Sequence, residues 1–104
     1  MRAIFLSCFT PAAVKGIIAG SDRVAAVEKT MAAVGGTLVS LQFTRGAYDT
    51  VVIVDVPDQA TAVGVAAAVL ASGSIAKLEL LEVLDMEPVL AAAGKAASAY
   101  KGPS

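Results

Sequence analysis

The sequence predicts an α+β fold of βαββαβ order, a four-stranded antiparallel sheet with its helices on one face. Three observations carry the prediction. Strand-like and helix-like patterns alternate as strand, helix, strand, strand, helix, strand. The first and third strands are the most uniformly apolar, as the two central strands of such a sheet should be. At 104 residues the chain has the length of one domain.

The first strand is "RAIFLSCF" (Arg2–Phe9), apolar on nearly both parities. Thr10-Pro11 follows, a cap and a first-turn proline that start a short helix "PAAVKGIIAG" ending at Gly20. Ser21 is expected to cap the next helix, "DRVAAVEKTMAAV", whose Val24, Val27, Met31 and Val34 fall on one stripe. Gly35-Gly36 supplies its left-handed stop. "TLVSLQF" (Thr37–Phe43) alternates, with Val39, Leu41 and Phe43 on one side and Leu38, Ser40 and Gln42 on the other. After a turn at Thr44–Ala47, "YDTVVIVDV" (Tyr48–Val56) is apolar enough to be covered on both faces. Pro57 and Asp58 open the helix "QATAVGVAAAVLA", closed by Ser72-Gly73-Ser74, and "IAKLELLEVL" (Ile75–Leu84) is the last strand. A short helix can start after Asp85, and Lys101–Ser104 reads as a frayed tail.

This order is the ferredoxin-like plan. Its helices cover one sheet face, yet the central strands are apolar on both. A second copy of the chain is therefore the expected lid, giving a sheet-to-sheet homodimer or higher oligomer. Composition agrees: 57% of residues are hydrophobic and 16% charged, against about 25% charged in an average domain. A net charge of −1 without a basic cluster excludes phosphate-steered nucleic-acid binding, and a charge-steered membrane surface is not expected. The uncharged Asp58–Lys77 interval is too weakly hydrophobic for a membrane span. One cysteine and no recognisable signal peptide lead to an expected cytoplasmic location.

"GAYDTVVIVDVPD", preceded by "AAVGGTLVSLQFTR", resembles the GYD domain family: Gly46, Tyr48 and Asp49 stand in its Gly-x-Tyr-Asp motif, and Pro57-Asp58 ends the strand that follows. Gly35-Gly36, "FTPAAVKGI" and "SDRVAAVEK" fit as well. The resemblance covers roughly Arg2 to Leu90, so residues 1–90 are taken as the GYD-like domain and 91–104 as an Ala-rich extension. It implies a ferredoxin-like subunit that pairs sheet to sheet, as in the dimeric α/β-barrel superfamily. It implies no settled activity, and fold analogy does not transfer one.

The chain has no histidine, so the usual general base and the commonest zinc ligand are missing, and no cofactor or metal is expected. Neither a phosphate loop nor a dinucleotide fingerprint is present. Chemistry, if any, falls to the polar knot before the third strand. Tyr48 can donate to a carbonyl or anionic oxygen, Asp49 can accept a proton, and Arg45 can clamp a carboxylate. The favoured reading of the knot is structural, since polar residues at strand starts are common: Gly46 supplies a positive-φ turn, with Tyr48 packing and Asp49 capping backbone amides or pairing with Arg45. Strand alternation would send Tyr48 and Asp49 to opposite faces. Ser40 and Gln42 are candidates for lining a cavity between paired sheets, and Lys15 for reaching a cavity mouth. Lys77 and Glu79 share a strand parity and are expected to pair, while Cys8 is read as a small core filler. The expected function is binding of a small apolar or carbonyl-bearing molecule in a cavity beside the sheet. The alternatives are a cofactor-independent oxygenase or isomerase using Tyr48 or Asp49, and a purely structural assembly protein.

Overall fold

Apolar residues at both parities let β1 (Arg2–Phe9) and β3 (Thr50–Asp55) lie side by side at the centre of the sheet. The computed structural model describes residues 1–103. Its strands run β2 (Thr37–Phe43), β3, β1, β4 (Ile75–Glu82), every neighbouring pair antiparallel, an order compatible with the ferredoxin-like plan. Helices α1 (Pro11–Ile18) and α2 (Arg23–Ala33) form the first connection and α3 (Gln59–Ala71) the second.

Side-chain caps set the helix starts. The Thr10 hydroxyl accepts from Ala13 N at 3.2 Å with Pro11 in the first turn, and Asp58 accepts from Thr61 N at 2.8 Å. The cap of α2 is Asp22, not Ser21: its Oδ1 accepts from Ala25 N at 3.0 Å, and a carboxylate is the stronger acceptor for that amide. At the other end of α2, Gly35 takes φ +73° while Gly36 N donates back to Met31 O at 2.8 Å. Gly36 has a second task. A Cβ there would stand 2.8 Å from Asp55 O, so only glycine lets β3 pass this close.

The core lies between one sheet face and α2 and α3. It joins Ala3 and Phe5 of β1, Val52 and Val54 of β3, Met31 of α2, and Ala62, Val65 and Ala66 of α3. Met31 is nearly sealed from solvent, a burial that contributes about 1.5–3 kcal/mol. Val24, expected on the same stripe, is exposed. In β2 a register shift between Leu38 and Ser40 breaks the expected alternation: Leu38 and Leu41 both pack on the core although their parities differ. The opposite sheet face is open. Cross-strand partners Ile53, Ile4 and Leu81 form one apolar row on it, and Val51 and Leu6 continue it.

β3 begins at Thr50 rather than Tyr48, because Tyr48 and Asp49 belong to the turn. The C-terminal helix is longer than a short one, running Met86–Ala99 as α4 with Asp85 as its cap. It buries none of its residues, and the Cα radius of gyration of 17.5 Å exceeds the roughly 13 Å of a compact chain this long. Lys101–Pro103 have no regular structure, and Ser104 lies outside the described residues.

Candidate functional site

The Gly-x-Tyr-Asp turn is tied to the end of β1 by its own backbone and by one carboxylate. Gly46 adopts φ +137°, a conformation side chains disfavour. Thr44 N donates to Asp49 O at 2.8 Å, and the Thr44 hydroxyl donates to Tyr48 O at 2.7 Å. Asp49 N donates to Ser7 O at 2.8 Å, and Asp49 Oδ2 accepts from Phe9 N at 2.8 Å. The Cys8 thiol completes the set by donating to Ala47 O at 3.2 Å. Cys8 is therefore half-buried against the turn rather than in the core. Asp49 therefore acts as a clasp between the turn and the end of β1.

Tyr48 turns the other way, onto the open face. Lys77 Nζ stands 5.4 Å from its ring centroid, and Lys77 and Glu79 approach to 4.0 Å. The Tyr48 phenol is held above its ordinary pKa, first by hydrogen bonding to the Glu79 carboxylate, then by burial, and then by the charges of Glu79 and Cys8. Ser40 and Gln42 also belong to the open face, paired with Ile53 and Val51 on the edge strand and joined to each other at 3.4 Å. Arg45 is exposed in the turn and Lys15 is exposed on α1. The structure therefore brings Tyr48, Lys77 and Glu79 together, and leaves Arg45, Lys15 and the Ser40–Gln42 pair apart from them.

A cavity of about 340 Å³ lies on the opposite, helix-covered side, between the sheet and helices α2 and α3. Its floor is the cross-strand pair Ser7 and Thr50, only 5% and 4% exposed. Among the described residues neither hydroxyl makes a hydrogen bond, and both residues line the cavity, their oxygens remaining open to it. Phe9, Val27, Leu41, Val52, Val69 and Ile75 supply apolar walls. Arg23, the first residue of α2, closes one side, and its Nε is buried without a partner. None of the six residues singled out from the sequence lines this cavity. A usable signal did exist: Ser7 and Thr50 interrupt the buried parity of two strands that are otherwise apolar there. Among the described residues no group of three or more His, Cys, Asp or Glu is placed to hold a metal ion.

Fold and cavity together define a small α+β domain with a ligand-sized chamber under its helices and an apolar open sheet face. The GYD domain model matches residues 4–93, and the chain belongs to that family. No curated protein and no solved structure gives a significant match. Among the described residues no helix is long and apolar enough to cross a membrane.

Proposed function

We propose that this GYD domain is a homodimeric binding protein that holds a small, largely apolar molecule in the chamber between its sheet and helices α2 and α3. One observation carries the reading: Ser7 and Thr50 sit at buried strand positions yet open free hydroxyls onto a largely apolar space, where an occupant can take up their hydrogen bonds. The volume is at the small end of the roughly 300–1,000 Å³ of ligand pockets. Dimerisation is supported by the row Ile53, Ile4 and Leu81 with Leu6 and Val51 beside it, a contiguous apolar surface on a charge-poor chain. The single free thiol suits a reducing cytoplasm. Catalysis by Tyr48 or Asp49 has less support, because neither lines the chamber and the Asp49 carboxylate already holds Phe9 N.

Native mass spectrometry of gently purified protein tests both halves of the proposal. The expected result is a dimer carrying one small molecule per subunit. Ser7→Leu, which fills the chamber, should remove the molecule and keep the dimer, while Leu6→Glu should split the dimer. A folded Ser7→Leu protein that retains the molecule would overturn the chamber assignment, and a monomeric native protein would overturn the dimer.

A further inference from the structure

The geometry points to a monocarboxylic acid as the occupant of this chamber, an apolar body with its carboxylate on Arg23; this rests on the chamber reading above. Sorting the polar groups that line the space leaves few free. The Thr30 hydroxyl is spent on Ala26 O at 2.9 Å, and the Ser72 hydroxyl on Val69 O at 2.6 Å and on the Ser74 hydroxyl at 2.8 Å. The Ser7 and Thr50 hydroxyls and the Arg23 guanidinium remain. Arg23 is the one charged residue of the lining, and no Asp or Glu faces it there. Among the described residues it forms no ion pair, although its Nε is shut off from water.

The Nε is shut off from the cavity as well as from water, so an occupant meets the terminal nitrogens of Arg23, which carry the same positive charge and pair with no acidic side chain. What pairs with them best is a planar acceptor with a negative charge, and a carboxylate matches the two terminal nitrogens of the guanidinium in shape as well as charge. The two floor hydroxyls can each donate to the same head group or to a second oxygen on the ligand. A single cation suits a single negative charge; a dianionic phosphate would leave charge uncompensated in an apolar space. The walls, headed by Phe9, Leu41 and Ile75, accept an aromatic or branched hydrocarbon body.

The test is a ¹H–¹⁵N titration of the intact protein with 4-phenylbutyrate and octanoate, beside 4-phenylbutyramide, octanamide and phenyl phosphate. The observed signals are the Ser7 and Thr50 amides and the Arg23 Nε–H. The acids should shift all three and bind about tenfold or more tightly than their amides, the margin of a charge-assisted over a neutral hydrogen bond. Arg23→Gln should abolish that margin, while Lys29→Gln, on the exposed side of α2, should keep it. Acids and amides binding equally, or a margin that survives Arg23→Gln, would overturn the acid assignment and leave the chamber as a binding site. Phenyl phosphate binding more tightly than the acids would also overturn it. Failure of every probe to move the Ser7 and Thr50 signals would overturn it and count against the chamber reading too.

Discussion

Asp49 provides the sharpest test of what the family motif does. Its Oδ2 accepts from the partly buried Phe9 N at 2.8 Å, a charge-assisted bond that joins the turn to the end of a central strand. Asp49→Ala leaves that amide unpaired where water has limited access, and hydrogen bonds to charged groups contribute about 1.5–3 kcal/mol. Asp49→Asn keeps an acceptor oxygen but loses the charge, which halves the interaction and costs about 1 kcal/mol. In a domain of this size each kcal/mol moves the melting temperature by about 4–8 °C. The order of melting temperatures should therefore be native, then Asn, then Ala, with Ala lowest by about 6–24 °C. Circular dichroism melts at one fixed protein concentration read the order directly, since any dimer makes melting concentration-dependent. An Asp49→Ala protein melting within about 2 °C of native would refute the clasp. It would return Asp49 to the list of residues kept for chemistry.

Gly36→Ala should cost about 1–3 kcal/mol in a urea titration, because the new Cβ meets Asp55 O at 2.8 Å and Met31 Sδ at 3.2 Å. Arg2 and Asp55 form a two-pronged exposed pair at 2.9 and 3.0 Å that depresses the Asp55 pKa from 3.8, chiefly through the hydrogen bond to Arg2. Its contribution is therefore complete above pH ~4 and fades as pH falls through the lowered folded value; Asp55→Asn should remove that part of the acid dependence of unfolding. In a Tyr100→Phe background the remaining phenol should titrate above its ordinary value by absorbance, and Glu79→Gln should bring it back down. In the isolated subunit α4 amides should exchange with solvent among the fastest of the helical ones, since none of this helix's residues is buried, and slow exchange there would show that another surface covers it.

Much of the fold was legible because local rules and tertiary packing agree. Both-parity apolar runs named β1 and β3 as central, Thr10-Pro11 and Asp58 marked helix starts, Gly35 marked a helix end, and Met31 was read as core. Two misreadings have local causes. Ser21 and Asp22 are both good caps, and the choice depends on the path of the chain out of Gly20. The bulge at Val39 is invisible to a period-two pattern, since one extra residue changes the facing of everything beyond it. The chamber was hidden for a different reason. Ser7, Arg23 and Thr50 come from separate elements and meet only when β3 pairs with β1 and α2 lies across them, whereas Arg45, Tyr48 and Asp49 drew notice by being adjacent in sequence. Sequence proximity pointed to the fastening of the fold, and the free polar groups were assembled by topology.

The central sheet is a single layer whose successive side chains look to opposite sides. On β1 Leu6 faces the open surface and Ser7 the chamber; on β3 Val51 and Thr50 divide in the same way. Substitution at one position thus alters the chamber wall while its neighbour keeps the outer surface unchanged. On the proposed function, ligand choice and self-association are set by alternate residues of the same two strands and can change independently.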